Sequence, residues 1–196
     1  MERIHIAREL VYTGFMSLDG VLDSPGDEVE GHRSGGWVMQ TEFDPDAFAL
    51  KGEELQDTTA LMFGRRSYEA FAPFWRESED HAEYKDLPKY VVSTTLADDD
   101  LFDGWGPTTI LRSSDDVARL KQGEGGGIFI HGSAELARRL SDADLIDRYN
   151  LLVFPVLLGA GKGLFTRADR DKRQLRLRES ASYSNGVTKL IYEVLY

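Results

Sequence analysis

One stretch of the chain, residues 61–69, constrains the fold more than any other. It has the sequence Leu-Met-Phe-Gly-Arg-Arg-Ser-Tyr-Glu, which predicts a buried strand that ends in a glycine turn and passes directly into a helix. The first turn of a helix exposes unpaired N–H groups and the positive end of the helix dipole. Arg65, Arg66 and Ser67 stand at that point, so the stretch predicts an anion site, most simply for phosphate.

Short apolar runs alternate with helical patterns along most of the chain. Strands are expected at residues 10–16, 58–63, 89–93, 108–111, 128–131 and 149–158. Helices are expected after Asp44-Pro45, from residue 65 to an interruption at Pro73, and over residues 115–122 and 134–140. Residues 175–178 alternate as a half-exposed strand, and Ser184-Asn185-Gly186 is typical of a hairpin turn before a strand at 187–196. This pattern predicts an α/β fold, with a mixed, mostly parallel sheet, helices on both faces and a C-terminal antiparallel hairpin.

Two glycine-rich segments are expected to be irregular. Residues 23–40 contain Pro25 and several glycines, which predicts a long loop. Trp37 either pins this loop to the core or belongs to a loop that covers a ligand, and the sequence favours neither. Residues 159–163, Gly-Ala-Gly-Lys-Gly, superficially resemble a phosphate loop, but the lysine is followed by glycine rather than serine or threonine. A turn between strands is the better prediction there.

Composition excludes several classes of function. The 196 residues are most simply a single domain, 1–196, and the net charge of −11 argues against a broad nucleic-acid-binding surface. The chain has no cysteine, which excludes disulfides, thiolate nucleophiles and cysteine-ligated zinc. Its 4 histidines are scattered, so no metal site is expected. No signal-like run precedes Leu10, and the apolar residues 151–160 are too few to span a bilayer, so we expect a cytoplasmic protein with no membrane partner.

Two other strand ends carry the same kind of residues as the first. Ser93-Thr94-Thr95 ends or follows one strand, and Gly132-Ser133-Ala134-Glu135 follows another. Ligands of open α/β sheets bind outside the carboxyl ends of the strands, so we expect both to meet Gly64-Arg65-Arg66-Ser67 in one crevice. Such a crevice would contain two helix N-termini, two arginines and several hydroxyls, which suit a pyrophosphate with a ribose 2′-phosphate. The sequence therefore predicts NADPH, which carries that 2′-phosphate, rather than NADH. The G-x-G-x-x-G fingerprint of other dinucleotide sites is absent.

Three acidic side chains are candidates near this crevice. They are Asp19, Asp44 and Asp46. Asp44 is best explained as the N-cap of the helix that begins at Pro45. Asp46 is either a first-turn acid stabilised by the helix dipole or a carboxylate that binds the N–C–N edge of a pteridine or pyrimidine. The candidate catalytic residues are therefore Asp46 and Asp19.

Five segments in order share one family pattern. They are Ser17-Leu18-Asp19-Gly20, residues 62–69, Val92-Ser93-Thr94-Thr95, residues 130–136 and Phe154-Pro155-Val156-Leu157-Leu158-Gly159. Together they extend over nearly the whole chain. The chain resembles the dihydrofolate reductase-like superfamily, and more closely its branch with the riboflavin-biosynthesis reductase domain, the C-terminal domain of the bifunctional deaminase-reductase.

The resemblance implies an eight-stranded sheet and NADPH as hydride donor. It would place the cofactor phosphates at Gly64-Arg65-Arg66-Ser67 and the adenosine ribose with its phosphate at Ser93-Thr94-Thr95. The pyrophosphate side would lie at Gly132-Ser133-Ala134-Glu135, and the nicotinamide near the backbone of Phe15 and the loop from Asp19. Similar proteins often form homodimers.

The chain departs from the family pattern at two points. Riboflavin-pathway reductases commonly carry a lysine after the Asp-Gly pair, where this chain has Val21, and dihydrofolate reductases have two glycines where it has Gly132-Ser133. The expected function is reduction of a heterocyclic substrate with NADPH, most similar to 5-amino-6-(5-phosphoribosylamino)uracil reductase. The alternatives are a dihydrofolate- or pterin-type reductase and a non-catalytic, dimeric NADPH-binding module on the same fold.

Overall fold

One mixed sheet runs through the molecule. The computed structural model of the protein describes residues 7–26, 31–165 and 172–196. Within these ranges the sheet has eight strands in the order β4-β3-β2-β5-β1-β6-β8-β7. The strands are β1 (Leu10–Ser17), β2 (Thr58–Gly64), β3 (Lys89–Val92), β4 (Thr108–Leu111), β5 (Gly127–His131), β6 (Arg148–Phe154), β7 (Gln174–Ser182) and β8 (Thr188–Leu195). Strands β1 to β6 are mutually parallel, while β8 is antiparallel to both β6 and β7. The predicted fold class is confirmed.

Helices cover both faces of the sheet. They are α1 (Pro45–Leu55), α2 (Arg65–Trp75), α3 (Ser114–Lys121) and α4 (Ala134–Asp142), with short 3-10 helices at Glu79–Tyr84 and Asp98–Asp100. Because successive strand residues face opposite sides, Leu10 and Tyr12 lie in the core formed with α3 and α4. Leu152 packs with α1, and Phe63 packs with α2, on the other face. No helix among the described residues has the length and apolar character needed to cross a bilayer.

The prediction that Pro73 interrupts α2 is wrong, because the helix continues to Trp75. Proline lacks an N–H group and its ring crowds the carbonyl four residues earlier, so a break was the expected outcome. Aromatic packing holds the last turn in place. The Trp75 ring stacks on Phe71 with 5.0 Å between centroids and lies edge-on to Phe63 at 6.2 Å.

Two strand predictions also need correction. β6 ends at Phe154 rather than residue 158, because Pro155 has no N–H to continue the ladder and the chain turns away from the sheet. β7 is exposed along nearly its whole length instead of alternating, since it is the edge strand and the leucines at 175 and 177 are themselves exposed.

The connections before α1 are held by specific side chains. Asp44 is the N-cap, and its carboxylate accepts the Asp46 N–H at 3.0 Å, as predicted. Trp37 is buried, donates to the Asp23 carbonyl at 2.8 Å and packs edge-on against Phe154. The indole therefore pins the long loop to the core. Part of that predicted loop, residues 27–30, lies outside the described residues, as does the N-terminal segment 1–6.

Candidate functional site

The three polar strand ends predicted to converge lie on three adjacent strands. β3, β2 and β5 are neighbours and run parallel, so their carboxyl ends open at the same edge of the sheet. The N–H of Gly64 donates to Ser133 Oγ at 2.8 Å, which joins the β2 turn to the β5 turn. Arg65 Nη1 donates to Thr95 Oγ1 at 3.0 Å, which joins the β2 turn to the β3 turn. The structure therefore brings these segments into one cleft.

Two left-handed residues shape the β5 side of the cleft. Gly132 has φ +59° and Ser133 has φ +58°, and α4 begins at the next residue. A Cβ on Gly132 would lie 3.1 Å from Phe71 and 3.4 Å from Ser67 Oγ, so the backbone here approaches α2 closely. α2 also begins directly at the end of its strand. Both helices thus direct their free N–H groups into the same gap.

The side chains at the cleft differ in how firmly they are held. Arg65 pairs with Glu69 at 2.7 Å, and this hydrogen bond raises the pKa of its guanidinium. Arg66 is exposed and has no hydrogen bond or ion pair within the described residues. Ser93 is buried and its Oγ accepts the N–H groups of Thr95 and Leu96, so it builds the turn.

The groups that line the cleft suit an anion with several oxygens. Thr94 and Thr95 are exposed, and Thr95 is in contact with Arg65. Ala134 is partly buried at the start of α4, where Glu135 is exposed and pairs with Arg139 at 2.5 Å. Charge-assisted bonds from guanidinium groups and helix N–H groups are the usual means of holding phosphates. The chemistry of the cleft fits the phosphates of a dinucleotide.

A second region of the same sheet edge lies beneath α1. Phe15, near the end of β1, is partly buried and packs edge-on against Phe48 of α1 at 5.8 Å and Phe154 at 5.6 Å between ring centroids. The Lys51 ammonium lies 5.4 Å from the Phe15 ring centroid. An apolar wall with one cation above it therefore stands beside the segment expected to contact the nicotinamide.

Below Lys51 is a buried polar cluster that the sequence analysis missed. Glu54 accepts from Thr13 Oγ1 at 2.9 Å, from Asn150 Nδ2 at 2.7 Å and from Lys51 Nζ at 3.2 Å. Lys51 also donates to Thr13 Oγ1. The carboxylate is compensated by these three partners, as a buried charge must be. The only sequence signal was an i, i+3 Lys-Glu pair on α1, which is ordinary on solvent-exposed helices.

His131 lies on the same face of the sheet. It is the register partner of Thr13 in the β1–β5 ladder. The ring is buried edge-on to Trp75 and Tyr84, at 5.4 Å from each, and its Nε2 has no partner in the described part of the chain. Burial, followed by the Lys51 charge, holds the pKa of His131 well below its usual value. The imidazole is therefore neutral at physiological pH.

The two candidate acids lie in different surroundings. Asp19 accepts from the Ser17 hydroxyl at 2.6 Å and from the N–H groups of Leu158 at 3.1 Å and Gly159 at 2.7 Å. These bonds, the Ser17 hydroxyl first, lower the pKa of Asp19 to about 2, so the group is an acceptor rather than a proton donor. Asp46 is exposed on the first turn of α1, and its side chain has no hydrogen-bond partner within the described ranges.

Known proteins are similar to this chain in sequence or in fold. The uncharacterized protein YyaP of Bacillus subtilis (strain 168) is 26% identical over 192 residues, which cover 94% of each chain. A putative riboflavin biosynthesis protein from Shewanella sp. PV-4 superposes with a TM-score of 0.71 at 19% identity, over 96% of this chain and 99% of that one. Dihydrofolate reductase from Enterococcus faecalis, solved with NADP(H), gives 0.61 at 13% identity, over 96% and 97%.

A family model supplies the assignment that the structural likeness alone leaves open. The model of the RibD C-terminal domain matches residues 8–189, which include every strand end of the cleft and all of α1. The superpositions give the same dihydrofolate reductase-like arrangement of sheet and helices. The chain belongs to the RibD C-terminal domain family and has a dihydrofolate reductase-like fold.

Proposed function

We propose that this protein is an NADPH-dependent reductase of a heterocyclic substrate, similar to the 5-amino-6-(5-phosphoribosylamino)uracil reductases of riboflavin biosynthesis. The observation that carries the proposal is the cleft at the ends of β3, β2 and β5. There the Gly64–Ser133 and Arg65–Thr95 hydrogen bonds join three turns between two helix N-termini. Family membership supports the reductase assignment.

The cofactor would be held in three parts. The turn at the end of β2 would bind phosphate through Gly64, Arg65, Arg66 and Ser67. The turn at the end of β5 would lie on the pyrophosphate side, with Gly132, Ser133, Ala134 and Glu135. Ser93, Thr94 and Thr95 would surround the adenosine ribose, where Arg66 has its guanidinium free for a 2′-phosphate. NADPH supplies a hydride when bound. The protein contributes the orientation of the nicotinamide beside Phe15 and an apolar wall that limits water access.

The acids have smaller parts in this proposal. Asp19 fixes the loop after β6 against the turn after β1, which would shape the nicotinamide side of the cleft. Asp46 is exposed in the first turn of α1, so it is assigned no contact with the reacting part of the substrate. The proposal does not depend on proton transfer by either residue.

Replacing both cleft arginines tests the cofactor assignment. The variant R65A/R66A should weaken NADPH binding more than NADH binding, because only NADPH carries the 2′-phosphate that a free guanidinium would meet. R176A/R178A is the matched control, since it removes the same charge from the exposed edge strand β7 at the far side of the sheet. Titration by nicotinamide fluorescence measures the affinities of the wild type and both variants for NADPH and for NADH. Equal, small effects on both cofactors would contradict the site.

Turnover distinguishes the remaining alternatives. The NADPH-loaded protein is mixed in a stopped-flow instrument with ribosylamino-pyrimidines or with dihydropterins. The ribosylamino-pyrimidines should cause loss of reduced-nicotinamide absorbance. Oxidation by the pterins alone would favour the folate-type alternative. Tight NADPH binding without oxidation by any of them would favour a non-catalytic binding module. The expected homodimer and cytoplasmic location are separate proposals, the first open to sedimentation analysis and the second to cell fractionation.

A further inference from the structure

Beside Phe15, helix α1 presents a cation rather than a carboxylate. The Lys51 side chain is 26% exposed, whereas the Glu54 side chain beneath it is 2% exposed. The ammonium lies over the Phe15 ring. Its charge also adds to the effect of burial, which is the main cause of the lowered pKa of His131. Lys51 is therefore the charged group of the cluster that a molecule entering beside Phe15 would meet.

The carboxylate of the cluster is already engaged. One Glu54 oxygen accepts from Asn150, and the other accepts from both Thr13 and Lys51. A ring with an amidine edge presents two N–H donors and needs a carboxylate with both oxygens open. The other acids of α1, Asp46 and Glu53, are exposed, so neither lines the interior.

A ring with a carbonyl edge has the opposite requirement. Its oxygen is an acceptor, and an ammonium group is a donor with no acceptor capacity. A charge-assisted bond of this kind is stronger than a neutral one, especially in a half-buried site. Because Glu54 and Thr13 hold the lysine from below, the group is oriented before a ligand arrives, which lowers the entropic cost of binding.

We propose that Lys51 selects substrates by their edge: rings that present a carbonyl or oxyanion bind, and amidine-edged rings are disfavoured. The inference rests on the proposed function, because Lys51 lies over Phe15 and the substrate would bind next to the nicotinamide proposed to lie beside that residue. Lys51 is then a specificity-determining residue, carried on a helix rather than at the Val21 position after the Asp-Gly pair.

Two probe rings of equal size test the selection. The probes are barbiturate, an oxo-edged pyrimidine, and 2,4-diaminopyrimidine. Calorimetric titration of the NADPH-loaded wild type should show tighter binding of barbiturate than of the diamino ring. Lys51→Gln keeps donors for Glu54 and Thr13 but removes the charge, so it should weaken barbiturate binding about tenfold and leave the diamino ring within about twofold. Lys51→Arg should retain most of the preference. Lys121→Gln is the control, since Lys121 also pairs with a carboxylate, Asp147 at 2.7 Å, but lies on α3.

The outcomes separate this inference from the proposed function. Tighter binding of the diamino ring, equal losses for both probes in K51Q, or no measurable barbiturate binding by the wild type would each overturn the role of Lys51. If K51Q does not fold, as shown by its melting curve, the wild-type preference and K51R decide the question. Failure of NADPH to bind, with the Lys51-dependent preference intact in the free protein, would instead overturn the cofactor assignment and leave the selective pocket standing.

Discussion

Ser133 combines two opposing effects on stability, and two substitutions separate them. Its backbone is left-handed, with φ +58°, which costs a non-glycine residue about 1 kcal/mol. Its hydroxyl accepts the Gly64 N–H at 2.8 Å, a bond that contributes about 1 kcal/mol. Ser133→Ala removes the bond and keeps the strain, so it should destabilise the fold by about 1 kcal/mol. Ser133→Gly removes both, so its free energy of unfolding should stay near that of the wild type.

Urea unfolding and thermal melting measure the difference. A loss of 1 kcal/mol corresponds to a melting temperature lower by about 2–4 °C for a chain of this size. Both variants lose the link between the turns, so both should weaken NADPH binding by a similar factor of about two to ten. The reasoning is refuted if Ser133→Gly is as unstable as Ser133→Ala, or if the two variants differ in NADPH affinity in the way they differ in stability.

Three further predictions concern buried or hydrogen-bonded charges. Burial lowers the pKa of Lys89 from 10.5 to about 8, so above pH 8 the unfolded chain keeps the Lys89 proton that the folded protein has lost. The free energy of unfolding should therefore rise by about 1–2 kcal/mol between pH 8 and 9.5. Urea midpoints of Lys89→Met should lack this rise. Glu54→Gln should cost about 2–4 kcal/mol in urea unfolding, because a neutral amide does not compensate the Lys51 charge and offers one acceptor oxygen in place of two. Exposed Glu53→Gln should change little. Hydrogen bonds lower the pKa of Asp19 from 3.8 to about 2, so the carboxylate stabilises the fold above pH 4 and loses this effect as pH falls toward 2. The melting temperatures of Asp19→Asn and the wild type should therefore converge over that range.

The cleft was predictable from sequence because its parts are local. A strand, a turn of small or polar residues and a helix start are each visible in a few residues, as at Gly64-Arg65-Arg66-Ser67. Parallel strands then place all such turns at one edge, whatever the strand order. The family resemblance assigned these turns to a cofactor, and the structure places the three segments side by side. The length of α2 was not predictable, since the backbone cost of Pro73 is local but the packing of Trp75 comes from distant residues.

The polar cluster beneath α1 was hidden for a different reason. No local sequence pattern marks Thr13, His131 or Asn150 as part of a site. They lie in one row across the sheet only because β1 pairs in parallel register with β5 and β6. Glu54 is buried only because α1 crosses that row. The Lys-Glu spacing, which usually indicates a solvent-facing helix, here forms a compensated ion pair in which Glu54 is buried and Lys51 is partly exposed. Because Thr13 and Glu54 orient the Lys51 ammonium, the proposed role of Lys51 predicts that changes at Thr13 or Asn150 alter substrate preference even though these strand residues lie beneath the lysine.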